Sequence, residues 1–515
     1  MSVIPHVRIC AGGCRQRRSL PRSQITGSFN GSASSTFTIE FFSSTTADPS
    51  GNGEGEVYLG SDTIVTNGSG NVTFETALTV GVTPGHVVSA TVTDASNNTS
   101  EFSANVTAFQ GLIVTNTSDA ANGTTSSIDA LLANDGGDGI SFREAITATN
   151  NTANGGSPDE IRFDIGGGGQ QTLTPTSEYD SIDQALLIDG RTQQGFAGTP
   201  LIEIDGQSVI PIVNAGLLID ASNTTIHSLS IVGWNDDGLQ IQSGVTNSFV
   251  LGNYIGLRPD GTTILANADN GVDLNGNNNT IGGTAAGERN VISGNVSDGF
   301  ELEGASTNNN TIIGNYIGTD AGGTIAKPNR SGIRIMSGAP SNTIGGTTAA
   351  ERNVISGNTD HGIDIEDAGS DSNVVSGNFI GVNKDGDTAL ANGMEGVSIE
   401  NGAASNIIGR TASGASNVIS GNTGSGVRIT DTGSDANQVL GNFIGTDLGA
   451  TIDLGNGASG VRLANDADDN IIGTTAANAG NVIAFNNQDG VRLLDTDNDG
   501  NSIRGNSIFS KAHPD

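Results

Sequence analysis

A six-residue string recurs along the C-terminal part of this chain at a nearly constant interval. Asn-Val-Ile-Ser-Gly-Asn begins at Asn290, Asn353 and Asn417, and degenerates to Asn-Val-Ile-Ala-Phe-Asn at Asn481, so the intervals are 63, 64 and 64 residues. A second string, Asn-x-hydrophobic-x-Gly, marks half-units at Asn247, Asn279, Asn310, Asn342, Asn373, Asn406, Asn437, Asn470 and Asn501, spaced 31 to 33 residues apart. A third, Gly-hydrophobic-x-hydrophobic, falls once inside each half-unit, as at Gly332, Gly362 and Gly396. The repeating unit is therefore about 32 residues, and two slightly different units alternate.

Each unit holds three short apolar runs, such as Asn310-Thr-Ile-Ile, Tyr316-Ile317 and Gly332-Ile-Arg-Ile335. None is long enough to bury itself, so the coils must stack strand on strand. The expected fold class is all-β: a right-handed parallel β-helix with three strands per coil. A propeller needs four-stranded blades of about 40 residues or more, which these units do not supply. In Gly-Ile-x-Ile the two isoleucines share the inner face and the residue between them points out. Recurrent asparagines would stack as amide ladders. Composition agrees: 76 Gly and 54 Asn with 4% aromatics suit turns and an aliphatic core, not helices. No run of about 18 apolar residues exists, which excludes a membrane-spanning helix. A net charge of −34 repels phosphate backbones and argues against nucleic acid as a partner.

Four segments are expected. Residues 1–24 carry five arginines and the only cysteines, Cys10 and Cys14, and read as a disordered or foreign leader. With His6 alone beside them, the cysteines fall short of four zinc ligands. Residues 25–108 read as a small antiparallel β-sandwich with strands at Phe37–Phe42, Val57–Leu59, Ile64–Thr66, Val72–Phe74 and Val87–Val92. Residues 109–154 form a linker with one helix, announced by the capping box Ser141-Phe-Arg-Glu144, which would cover the open end of the stack. Residues 155–515 form the β-helix.

Asp138-Gly-Ile-Ser-Phe-Arg-Glu-Ala-Ile146, followed by Asp159-Glu-Ile-Arg-Phe-Asp164, resembles the CSLREA motif of bacterial surface and secreted proteins, with Ile140 in place of the usual Cys. Ile188-Asp-Gly-Arg and the Gly-Asn-Tyr/Phe-Ile-Gly-Thr-Asp strings resemble the same group, the right-handed parallel β-helix repeat proteins with the pectate-lyase-like fold. Residues 25–108 resemble the Ig-like modules found beside such β-helices. The resemblance implies an exported protein at a bacterial surface, structural, adhesive or carbohydrate-binding, with a polysaccharide or surface glycan as partner. A monomer is expected. The alternative it implies is a calcium-dependent polysaccharide lyase or glycoside hydrolase acting on an acidic glycan.

Three constellations could carry chemistry. The outward positions of the third strand read Asp273, Glu301, Arg334, Asp364, Ser398, Arg428, Arg462 and Arg492. Their arginines, Arg334, Arg428, Arg462 and Arg492, could hold glycan carboxylates; pairing with Asp431, Asp466 and Asp495 just downstream is the internal alternative. The acidic turns beyond that strand, with Asp466 and Asp468 and with Asp495, Asp497 and Asp499, would stack and could hold calcium, and the last, Asp495-Thr-Asp-Asn-Asp-Gly500, resembles the start of a calcium loop. The twelfth position is Asn506 where that loop needs Glu. Finally, Asp360, His361 and Asp364 could serve acid–base catalysis. Asn358-Thr359-Asp360 is similar to the Asn-Thr-Asp motif of β-helix polygalacturonases. The companion Gly-His-Gly and Arg-Ile-Lys elements are absent, as is the Arg-x-Pro-x-x-Arg of pectate lyases.

Overall fold

The computed structural model describes residues 7–10, 24–77, 86–107, 111–154, 157–209, 215–495 and 497–509. It divides into two compact units. One gathers residues 1–112, 122–138 and 151–160; the other gathers 113–121, 139–150 and 161–515.

The first unit is a sandwich of two antiparallel sheets. One holds Val7–Cys10, Gln24–Asn30 and Asn71–Ala77; the other holds Val57–Val65, Thr36–Ser44, Val87–Asp94 and Val106–Thr107. Alternating residues of both close one core around Ile25, Phe29, Ile39, Phe41, Leu59, Phe74 and Ala90. Two strands differ from expectation. Val57–Val65 runs unbroken, because Gly60 sits at a bulge opposite Phe41 and Phe42 where the sequence suggests a turn. Val7–Cys10, inside the expected leader, pairs with Thr26–Phe29. His6 and Cys14 lie outside the described residues. A six-residue helix not expected from the sequence, α1 (Ile128–Ala133), starts where Ser127 Oγ accepts from Ala130 N–H.

The second unit is the β-helix. From Leu186–Asp189 onward every third strand in chain order joins the same sheet, and the three sheets hold 13, 12 and 10 strands. All the registered neighbours are parallel, for example Ile333–Ile363–Val397–Val427–Val461 down the third-strand sheet. Parallel crossovers of this kind wind right-handed. The core is a set of aliphatic columns: Ile312, Ile344 and Val375 from first strands, Ile317, Ile355 and Ile380 from second strands, and Ile335, Ile365 and Ile399 from third strands are fully buried. Each such side chain contributes roughly 1.5–3 kcal/mol of burial.

Asparagine ladders hold the corners. Asn353 shows the pattern: its Nδ2 donates to Ile312 O at 2.8 Å and to Asn378 Oδ1 at 2.9 Å, while its own Oδ1 accepts from Asn315 N–H at 2.9 Å. A second ladder follows the first strands from Asn279 to Asn501, and a third runs through Asn295, Asn329, Asn358, Asn392 and Asn422. One expected rung is displaced. Ser248, not Asn247, occupies the ladder position above Asn279, and Asn247 turns with φ of 56°.

The alternation of units has a packing cause. After alternate second strands the chain makes a small hairpin, closed by antiparallel bridges at Leu257–Ile264, Thr319–Ala326, Val382–Ala389 and Thr446–Asp453. These hairpins cover Tyr254, Val291, Tyr316, Val354, Phe379 and Val418, a second apolar cluster outside the coil. The intervening units lend Arg289 and Arg352, each 4.1 Å above the ring of Tyr316 or Phe379. The helix α2 (Phe142–Asn150) begins at the expected capping box: Ser141 Oγ accepts from Glu144 N–H, and Ser141 N–H donates to the Glu144 carboxylate at 3.0 Å. It packs Phe142 against Phe163 and Tyr179 of the first coils, and Arg143 pairs with Asp119 at 2.8 Å.

Candidate functional site

The outer face of the third-strand sheet collects most of the charged residues singled out above. Register places Gln240, Asp273, Glu301, Arg334, Asp364, Ser398, Arg428, Arg462 and Arg492 in one column, one residue per rung. That is the order read from the sequence. The glycine column beside it is forced by close stacking: a Cβ on Gly362 would lie 2.6 Å from Gly396 O and 2.7 Å from the Ile380 methyl.

Its arginines find partners across rungs. Arg334 pairs closely with Glu366 of the next rung and lies 3.7 Å from Glu301 of the previous one. Arg428 pairs closely with Glu400 and donates to Ser398 Oγ at 3.1 Å. Arg492 reaches Gln488 at 2.8 Å and Asp489 at 3.7 Å. Arg462 has a buried Nε with no hydrogen-bond partner among the described residues. Among the described residues no ion pair joins these arginines to Asp431, Asp466 or Asp495, because three or four strand-like steps of about 3.3 Å carry each Asp well along the chain from its Arg. A neighbouring rung is nearer.

Asp364, like Asp273 of the same column, is 8% exposed, and its Oδ1 has no hydrogen-bond partner among the described residues. One oxygen each from Asp364, Glu366 and Glu400 lie within 4.8 Å of one another. Burial, reinforced by the charges of Glu400 and Glu366, pushes the Asp364 carboxyl up to about 8. Burial beside Asp273 likewise pushes Glu301 up to about 7. His361 Nδ1 lies 3.4 Å from Glu395, and burial holds the imidazole below its ordinary value against the pull of that carboxylate. Asp360 directly precedes His361, its N–H on Arg330 O at 2.8 Å. Asn358 is a ladder rung, bonded to Asn329 and Asn392, so the Asn-Thr-Asp string serves a coil corner at its first position.

The expected calcium edge is knitted turn to turn. Asp468 Oδ1 accepts from Asp499 N–H at 2.6 Å, Asp495 Oδ2 from Asn465 N–H at 2.9 Å, and Asp466 Oδ2 from Thr432 Oγ1 at 3.1 Å. Among the described residues, the acidic groups that converge closely enough for one ion are Asp364–Glu366–Glu400 and Asp236–Asp237–Asp269, neither of which includes Asp466, Asp468, Asp495, Asp497 or Asp499. Sequence reasoning missed Glu400. The signal was there: Glu366 and Glu400 follow their glycines by the same four residues, in Gly362-Ile-Asp-Ile-Glu366 and Gly396-Val-Ser-Ile-Glu400.

No family model matches the chain, and no curated protein matches it. Among solved structures it is similar to a mutant of the periplasmic alginate epimerase AlgG, at 13% identity and a TM-score of 0.34 over 68% of this chain and 73% of that one. It is similar to pectate lyase Pel9A at 13% identity and 0.30, over 77% and 80%. A third is the catalytic unit of a thermostable GH87 alpha-1,3-glucanase from Streptomyces thermodiastaticus strain HF3-3, at 10% identity and 0.32, over 98% and 95%. Likeness of this degree bears on none of the side chains above. The register of the three sheets by itself makes this chain a parallel β-helix with three strands per coil.

Proposed function

We propose that this chain is an exported protein of a bacterial surface or its surroundings that holds an acidic polysaccharide along the outer face of the third-strand sheet. One observation carries the reading. On a chain of net charge −34, Arg428, Arg462 and Arg492 occupy three successive rungs, and the middle one leaves a buried Nε without a hydrogen-bond partner among the described residues. Guanidinium groups stacked about 4.8 Å apart repel by roughly 1 kcal/mol per pair even in water. Carboxylates of a uronate chain would relieve that repulsion through charge-assisted, forked hydrogen bonds.

The test is retention on polygalacturonate and alginate in affinity electrophoresis, in EDTA and at low salt. Wild type is expected to be retarded, and Arg462→Gln to bind about tenfold more weakly. Equal retardation of both proteins, or none, overturns the reading. A lyase or hydrolase acting on the same glycan is the second reading. What favours it is that His361, Glu395, Asp364, Glu366 and Glu400 gather on two adjacent rungs of this face. Unsaturated or reducing-end products from those polymers would establish it.

A further inference from the structure

We propose that Asp364, Glu366 and Glu400 form a binding site for one hard divalent cation of the calcium class. The three carboxylates come from two adjacent rungs: Asp364 and Glu366 share one strand, and Glu366 and Glu400 are register partners on neighbouring strands. Parallel pairing thus brings residues 34 positions apart in the chain to one spot. One oxygen of each lies within 4.8 Å of the other two. Oxygens that each sit 2.3–2.6 Å from a common calcium ion lie at most about 5 Å apart, and the three carboxylates meet that limit.

Convergence of acids is not the whole argument. Asp364 is 8% exposed, directs its carboxylate among the other two, and leaves Oδ1 buried with no hydrogen-bond partner among the described residues. Such an oxygen costs free energy unless something binds it. Arg334 engages Oε1 of Glu366, whose Oε2 accepts a long hydrogen bond from Asn401 Nδ2 at 3.4 Å, and Arg428 engages Oε2 of Glu400, so both glutamates are fixed from outside. Ligating carboxylates are commonly oriented by such outer partners. An all-oxygen donor set selects calcium-class ions over zinc or copper. The other converging group, Asp236–Asp237–Asp269, lacks this feature: Asp237 Oδ1 accepts from Asn270 N–H at 2.9 Å, and Asp269 is exposed. It serves as the control.

The inference shares a face with the proposed glycan site but does not depend on it, so it is tested without glycan. Full-length protein is stripped with EDTA, dialysed, and titrated with CaCl2 by calorimetry, with thermal unfolding recorded alongside. One saturable site is expected below about 1 mM, with a rise in unfolding temperature. Asp364→Asn and, separately, Glu400→Gln should weaken binding at least about tenfold while circular dichroism stays that of wild type. Asp269→Asn should bind as wild type does. Absence of heat and of thermal shift up to about 10 mM calcium overturns the proposal. So does binding that survives both Asp364→Asn and Glu400→Gln, or that disappears in Asp269→Asn. Glycan retention in EDTA is scored separately, so failure of either proposal leaves the other readable.

Discussion

Buried acids on the third-strand face make this protein's stability depend on pH in an uncommon direction. Asp237 is 5% exposed, and burial, reinforced by Asp273, pushes its carboxyl from 3.8 to about 8. The folded state therefore binds this proton more tightly than the unfolded chain does. The stabilisation is fully present below pH 4 and is lost as pH rises to about 8, above which the penalty is constant. Asp237→Asn keeps an acceptor for Asn270 N–H and removes the charge. Its urea midpoint should match wild type near pH 4 and exceed it near pH 9, by about 2 kcal/mol in unfolding free energy. An unchanged difference across that range would show that Asp237 ionises normally. At this scale the sequence was only partly legible: it identified Asp364 and the four arginines but not their partners, because a partner one rung away is about 30 residues distant in the chain.

At the scale of the element, the ladder is what fixes a coil corner. Asn353 satisfies two carbonyl oxygens, one backbone N–H and the Asn315 side-chain amide in a fully buried place. Asn353→Ala removes all four bonds and leaves buried groups on the coils above and below without partners. A loss of about 2–4 kcal/mol is expected by urea unfolding, from orphaned groups at about 1–3 kcal/mol each with partial relaxation. A loss below about 0.5 kcal/mol, as for an ordinary surface change, would mean the ladders are ornamental. Glycine spacing and asparagine spacing announced these corners in the sequence. The slip at Asn247, where Ser248 holds the rung, shows what the pattern lacks: a hydroxyl does the same work there, accepting from Thr224 N–H at 3.1 Å.

At the scale of the whole β-helix, the repeat is a two-coil period. Hairpins and aromatic rings belong to one coil, the stacking arginines to the other, so only a double unit restores every contact. Deleting residues 290–352 joins Arg289 to Asn353, so Asn353 takes the place of Asn290, its equivalent one period earlier. In a quasi-one-dimensional fold each coil touches only its neighbours. The shortened protein should fold, keep its β circular dichroism and unfold cooperatively. Deleting a single unit, residues 279–309, should cost far more, because it sets like coils against each other. Equal behaviour of the two deletions would mean the alternation has no packing role.

The sequence by itself determined the winding: apolar residues at strand period, glycine where backbones approach, and asparagine at corners recur every 31 to 33 residues, and those requirements are local to each unit. It also determined the outward column, since once the period is known each residue's neighbours along that column follow. Tertiary structure alone decided which of those neighbours meet. Side-chain length and rotamer bring Arg334 to Glu366 and Arg428 to Glu400, gather Asp364 between those pairs, and tie the C-terminal aspartates to the turns of neighbouring coils. Such choices depend on distances between coils, which a linear pattern orders but does not measure.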